Sequence, residues 1–247
     1  MIFKDHFSSH ATDYARFRPR YPKELFSYLA SISPSRARAW DCATGNGQAA
    51  IGLAGQFDGV IATDASAKQI ENAPVDQRVQ YRVAAAEESG LESHSIDLIT
   101  VAQALHWFDL SKFFAEVRRV LKPAGVLAVW SYNVVSIAPA IDQVIDRFYR
   151  KTVGPFWPPE RAIVEAGYRT IDFPFQEIDP PLFLMETAWT LDQLLGYLRT
   201  WSATQKFIAA NNFDPVHQLE NELAQIWQPR DTSRTIVWPL SLRVGRV

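Results

Sequence analysis

The chain is predicted to be an α/β protein built on a doubly wound, mostly parallel sheet with helical cap elements. Three observations predict it. Short apolar runs alternate with helical segments between residues 37 and 130, the rhythm of strands covered on both faces by crossover helices. A glycine turn, Asp41-Cys42-Ala43-Thr44-Gly45-Asn46-Gly47, leaves the first apolar run and opens a helix. After residue 134 the texture changes to helical spacings around aromatic, proline-rich links, the usual make-up of a cap over a site.

The elements follow in order. Pro22 suits the first turn of a helix, and Leu25, Phe26, Leu29 and Ile32 carry helical spacing from Lys23 to Ile32, closed by Pro34. Ala37 to Cys42 is the first strand, and Gln48 to Phe57 the helix after the glycine turn. Gly59 to Asp64 is a second strand, followed by a helix from Ser66 to Ala73. Val79 to Val83 and Ile96 to Ala102 are the third and fourth strands, the latter apolar enough for a buried position. A helix over Leu110 to Leu121, a turn at Lys122-Pro123-Ala124-Gly125 and a fifth strand over Val126 to Trp130 complete the core. Residues 134–170 hold two helical candidates around Gly154-Pro155-Phe156-Trp157-Pro158-Pro159, and Phe173 to Ile178 reads as a strand. Thr190, with Asp192 in the first turn, caps a helix running to Thr204. Ile236 to Val244 is a terminal strand that Pro239 confines to an edge or bulged position. The reading is one domain over 1–247: a cap segment at 1–34, a core at 37–133, a helical cap and late strand region at 134–234, and a terminal strand at 235–247.

Composition narrows the function. With 47% apolar residues in 247, the chain can offset its ordering entropy and bury a sizeable core. Lys+Arg is 25 against 27 Asp+Glu, a balance that predicts no nucleic-acid partner. No run reaches the ~18 apolar residues a membrane span needs, and the N-terminus lacks a signal's apolar stretch. Cys42 is the one cysteine, so no internal disulfide forms, and no Cys/His cluster stands at zinc-ligand spacing. A cytoplasmic protein acting on a small molecule, without metal or membrane, as monomer or homodimer, is expected.

The turn points to a nucleotide. Its glycines let backbone amides meet a ligand without an intervening Cβ, and Asp64 follows Gly45 by 19 residues at the end of the second strand, the spacing that reaches ribose hydroxyls. The plain alternative is a tight turn with Asp64 as a helix cap. A dinucleotide turn, G-x-G-x-x-G, fits poorly: Ala50 stands one position late for its third small residue, and Asp41 at the mouth would repel a pyrophosphate. An acid there suits a cationic ligand.

On these residues the chain resembles a class I S-adenosylmethionine (SAM)-dependent methyltransferase. Asp41 to Gly47 is similar to that family's D-x-G-x-G-x-G turn, with Ala43 in place of the first glycine. Asp64 matches the ribose acid, Ala85-Ala86-Glu87 the segment flanking adenine, and Asp97 to Phe108 the fourth strand with its active-site loop. Leu121-Lys122-Pro123-Ala124-Gly125 matches the turn before the fifth strand. Tyr14 with Arg18-Pro19-Arg20-Tyr21-Pro22, the Ala104-Leu105-His106-Trp107-Phe108 run, and Trp189 through Ala203 are similar to the trans-aconitate methyltransferase-like, type 11 subgroup. The resemblance implies a seven-stranded Rossmann-like sheet and SAM as cofactor. It implies cofactor contacts from Tyr14, Arg18, Asp41, Ala43, Gly45, Gly47, Asp64, Ala86, Glu87 and Gln103. His106 and Trp107 fall where the family places the transfer centre, and Trp201 lines or rims the acceptor pocket.

Each residue has a blander reading beside this one. Arg16, Arg18 and Arg20 would form an exposed stripe; Trp107 and Phe108 would be core and His106 a turn cap; Cys42 would be packing only. The function that follows is methyl transfer to a small molecule, first a carboxylic acid giving a methyl ester. Methylation of a quinone- or polyketide-type ring at carbon or oxygen is the alternative. An NAD-dependent oxidoreductase and a non-catalytic SAM-binding module are more distant ones.

Overall fold

A computed structural model describes residues 19–247, so Tyr14 and Arg18, and with them most of the cap segment, lie outside the described residues. The core elements are α1 (Lys23–Ile32), β1 (Arg38–Cys42), α2 (Gln48–Ala54), β2 (Gly59–Asp64), α3 (Ala67–Glu71), β3 (Val79–Val83), β4 (Ile96–Ala102), α4 (Leu110–Val120) and β5 (Leu121–Tyr132). The cap follows with α5 (Pro139–Arg147), α6 (Arg161–Glu165), β6 (Gln176–Ile178), β7 (Leu184–Trp189), α7 (Leu191–Arg199), α8 (Ser202–Asn211) and α9 (Val216–Ile226), before β8 (Arg234–Arg246).

The sheet order is β3-β2-β1-β4-β5-β8-β6, with β1 to β5 parallel and β8 antiparallel to β5. Strand order reverses between β1 and β4, and in such sheets the crevice beyond the carboxyl ends at that point receives the ligand. Alternation along each strand feeds two cores. Ala39, Ala62, Leu98 and Ala128 pack under α1, α2 and cap helices, whereas Trp40, Ile61, Ile99 and Leu127 pack under α4 and α6. Tyr21 docks edge-on against Trp130 at 5.3 Å, and the Gln48 amide donates to the Pro19 carbonyl at 2.9 Å. The start of the described chain is thereby held beside the glycine turn.

Asp97 on β4 shows how a buried acid is satisfied at the opposite end of the sheet. Its side chain is fully buried, and it accepts from Ser35 Oγ (2.7 Å), the Arg38 amide (2.9 Å) and Lys122 Nζ (2.8 and 2.9 Å). Burial alone would raise its pKa, but these donors hold it below the usual value. Its stabilising contribution is therefore present above the unfolded carboxylate pKa of about 3.9 and is lost as pH falls through the lower folded value. Lys122→Met should cost about 2 kcal/mol near pH 7, less than for a fully buried pair because Lys122 keeps solvent contact. Urea midpoints should show the cost shrinking as Asp97 protonates.

Several expected elements differ. The sheet has eight strand segments, not seven, because β6 and β7 pair with consecutive stretches of β8. Between them stand Pro180 and Pro181, which cannot donate to a ladder. The strand expected from Phe173 shrinks to Gln176–Ile178. Phe173 and Phe175 instead pack against Phe114, with Pro174 between them. The turn at Lys122–Gly125 is a bulged start of β5, its register slipping between Ile96 and Leu98. Terminal strand β8 is internal, with β5 on one side and β6 and β7 pairing along it. Pro239 is tolerated there by a gap. Val237 N donates to Ser136 O and Leu240 N to Phe183 O, so the alternation turns the Pro239 nitrogen to the break between Tyr132 and Ser136.

The helix expected over Thr190–Thr204 is two helices. Thr190 and Gln193 form a reciprocal capping box opening α7. At its end Thr200 Oγ1 bonds the Tyr197 carbonyl at 2.7 Å, and Trp201 turns extended to cap α8. Packing decides the break: the Trp201 ring is 5% exposed and sits against Phe148, Tyr149, Trp157 and Tyr197.

Candidate functional site

The glycine turn is built from left-handed residues. Ala43, Gly45 and Gly47 have φ of +54°, +56° and +81°. A Cβ on Gly47 would lie 2.5 Å from the Tyr81 hydroxyl, whereas one on Gly45 would meet nothing within 4 Å, so the backbone there faces open space. Ala43 bears a conformation that costs a non-glycine residue roughly 1–2 kcal/mol. Ala43→Gly should recover about 1 kcal/mol, read as a higher denaturant midpoint with unchanged slope.

Two acids fix this turn. Asp64 Oδ2 accepts from the Gly45 amide at 2.9 Å and Oδ1 from the Ser66 amide at 2.8 Å, tying the turn to the end of β2 and opening α3. Asp41 is fully buried and accepts from Thr44 Oγ1 at 2.5 Å and Thr100 Oγ1 at 2.8 Å. Burial raises its pKa to about 6 against the pull of these hydrogen bonds, and Asp64 adds repulsion. Glu87 Oε1 accepts from the Asp109 amide at 2.8 Å, holding the chain just before α4, and Ala86 beside it is buried.

The charge pattern selects the ligand. Between β1 and the turn, Cys42 is buried, and its thiol pKa is raised by burial first and then by Asp41, Glu87 and Asp64. Three carboxylates thus surround one turn. Such a ring repels a pyrophosphate and fits a cofactor carrying a sulfonium and an ammonium group. Among the described residues no group of three or more His, Cys, Asp or Glu side chains is placed to hold a metal.

A cavity of about 100 Å³ lies beyond the carboxyl ends of β4 and β5. Register places it next to the turn, since Cys42 pairs with Val101 and Gln103 follows two residues later. Gln103 has φ +57° and is pinned by its amide to Trp130 O and by Nε2 to Tyr132 O, both 2.9 Å. It lines the cavity with His106, Trp107 and Trp201, so four of the expected residues meet there. His106 is the middle residue of a one-turn 3₁₀ helix, Leu105–Trp107, just past the end of β4. Burial, and secondly the nearby Arg161, lower its pKa to about 4, so it is neutral at ordinary pH.

Arg161 escaped the sequence reading, as did Tyr149 and Tyr168. Arg161 lines the same cavity, its guanidinium over Trp157 at 4.8 Å and over Tyr149 at 5.3 Å, with Nε donating to Tyr149 Oη at 2.6 Å. Tyr149 Oη in turn donates to Glu165. Arg161 is the one charged residue on the cavity wall among the described residues. The available signal was faint: an arginine two residues after a Trp-Pro-Pro-containing link.

Comparison with known proteins agrees with this geometry. The methyltransferase-domain family matches residues 40–129. A Dictyostelium discoideum protein named as a methyltransferase is 36% identical over 239 residues, which span 95% of this chain and 91% of that protein. The structure of a type II methyltransferase from Anaeromyxobacter dehalogenans is 43% identical with a TM-score of 0.89, covering 93% of this chain and 98% of that one. A tRNA 5-carboxymethoxyuridine methyltransferase of Escherichia coli is 28% identical over 186 residues, or 70% of this chain and 66% of that protein. Sheet order, an acid-ringed glycine turn and two near-full-length relatives converge: the chain belongs to the class I SAM-dependent methyltransferases, enzymes that take SAM as their cofactor.

Proposed function

We propose that the acceptor is a small carboxylic acid, methylated on oxygen to give an ester. The observation that carries this reading is the cavity wall, which among the described residues holds one cation, Arg161, a neutral His106, and no acidic or lysine side chain. A guanidinium offers a planar fork of donors matched to a carboxylate. A histidine whose pKa is about 4 is a poor proton acceptor, and a carboxylate needs none because its oxygen is already nucleophilic. The E. coli relative, whose name carries a carboxymethoxy group, adds support.

SAM supplies the activated methyl when bound. Asp64 takes the ribose hydroxyls while its amide bonds hold the turn. The backbone at Ala43, Gly45 and Gly47, with Gln103, cradles the methionine portion, and Asp41 holds its ammonium. Ala86 and Glu87 flank the adenine. Tyr14 and Arg18 take the methionine carboxylate. Arg161 and His106 orient the acceptor, and Trp107, Trp157 and Trp201 exclude water, so that donor and acceptor meet in line. For a carboxylate acceptor held in this way, no residue of the site would need to take up a proton.

Asp41 gives this assignment a pH signature. Its folded pKa of about 6 lies above the unfolded value, so the folded state binds the extra proton in between and loses stability as pH rises through that window. A cationic ligand wants the ionised form. SAM affinity should therefore rise as pH passes about 6, and Asp41→Asn should flatten that rise in calorimetric titrations.

The test of function has two arms. SAM or S-adenosylhomocysteine at a hundredfold Kd should stabilise the fold by about 2.7 kcal/mol, visible as a higher Tm, and NAD should not. Methyl-labelled SAM should then label small carboxylic acids in a panel that also holds phenols, quinols and a carboxymethyl nucleoside. Label appearing on ring carbon or phenol, and not on carboxylates, would replace this reading with ring methylation.

A further inference from the structure

Tyr168 is fully buried, yet its backbone is held at φ +62°, a conformation costly for an aromatic residue. Its surroundings enforce it. The Tyr168 amide bonds back to Ile163 O at 3.0 Å, and Arg243 Nη1 donates to the Tyr168 carbonyl at 2.7 Å. Gly167 before it is also left-handed, and a Cβ there would lie 2.7 Å from Ser241 Oγ. A strained corner is thus built where an ordinary turn would serve, and what it places is a phenol hydroxyl 3.1 Å from His106 Nδ1.

Proton accounting at that hydroxyl gives the corner a purpose. The hydroxyl is buried, His106 Nδ1 is its one hydrogen-bond partner among the described residues, and a phenol has a single proton to place. The O–H therefore goes to Nδ1, because the reverse arrangement would leave a buried phenol proton without an acceptor. A neutral imidazole that accepts at Nδ1 carries its proton on Nε2. We propose that Tyr168 is a positioning residue that locks His106 as the Nε2–H tautomer, so that the transfer site offers the acceptor a hydrogen-bond donor and not a base. The groups facing His106 agree: Tyr168 stacks at 6.0 Å and Trp107 packs at 4.6 Å, both neutral, while cationic Arg161 opposes protonation. An acceptor atom seated there arrives already deprotonated.

The inference rests on the acceptor cavity lying where the proposed function puts it, but its primary test does not need an acceptor. Long-range ¹H–¹⁵N correlation spectra of the ¹⁵N-histidine-labelled protein distinguish protonated from bare ring nitrogens, and His106→Gln assigns the signal among five histidines. The expected result is a single Nε2–H form between about pH 5 and 8. Tyr168→Phe should convert it to a tautomer mixture. An Nδ1–H form in the unmodified protein overturns the proposal, as does an unchanged tautomer in a folded Tyr168→Phe variant. The kinetic arm uses whichever carboxylic acid proves active. Tyr168→Phe should lower kcat/KM about tenfold alone, within the range for coupled neighbours, and change it little in a His106→Gln background. An equal loss in both backgrounds would reduce Tyr168 to a purely structural role. If no carboxylic acid is methylated, the acceptor reading fails while the tautomer remains measurable.

Discussion

Asp64→Ala should weaken SAM binding by ten- to a hundredfold in calorimetric titration. A hydrogen bond to a charged group contributes roughly 1.5–3 kcal/mol, and each 1.4 kcal/mol is tenfold. Two losses combine at this residue. The ribose hydroxyls would lose the acceptor proposed for them, and the Gly45 amide loses the oxygen that fixes the turn 2.9 Å away. The second loss distinguishes this acid from a simple ligand contact, because it loosens the backbone that cradles the rest of the cofactor. The same two amides make the variant less stable as well, so titrations belong well below its melting point. Asp64→Asn separates the effects: its carbonyl keeps one acceptor for Ser66 or Gly45 but carries no charge and turns an NH₂ toward the other amide. It should fall between wild type and alanine. Normal SAM affinity in Asp64→Ala would leave the acid as a brace for turn and helix alone.

Legibility followed the range of the interactions. β2, β3 and β4 fall on the expected residues because their apolar runs end at local signals: a glycine at Gly59, an acid at Asp64, polar residues around Val79–Val83. The glycine turn was legible for the same reason, since spacing alone brings Asp64 back to Gly45. Failures came where distant packing overruled local preference. Trp201 breaks a helix because Phe148, Tyr149 and Trp157 from other segments close around it with Tyr197, and nothing within Thr190–Thr204 announces those three. Pro239 argued for an edge, and only the gap opposite it, made by the chain leaving β5 at Tyr132, reconciles it with an internal strand. The site divided similarly. Gln103 and His106 stand on a strand end that the pattern exposes, but the cation facing them comes from a cap helix 55 residues beyond His106. No periodicity links the two positions.

That cation carries the largest expected effect on the acceptor side. Arg161→Ala should lower kcat/KM for a carboxylic acid by roughly 30- to 1,000-fold, the 2–4 kcal/mol typical of removing one partner of a desolvated, hydrogen-bonded charge pair. SAM affinity should be unchanged, because Arg161 lies on the acceptor cavity and not on the turn. Two features make the guanidinium a better anchor than an exposed arginine. It is stacked between Trp157 and Tyr149 with Nε spent on Tyr149 Oη, so little freedom is lost when a ligand docks. Its partners among the described residues are these neutral rings and one hydroxyl, so no carboxylate within that set competes with the substrate. Arg161→Lys keeps the charge but not the planar fork, and should recover only part of the loss. A secondary effect checks the geometry: with the cation gone, the His106 pKa should rise from about 4, though only partly, because burial is the larger cause of its depression. A variant that loses no carboxylate activity, yet shows that histidine shift, would place Arg161 beside the acceptor without touching it, and would move carboxylate recognition to His106 and the Gln103 amide.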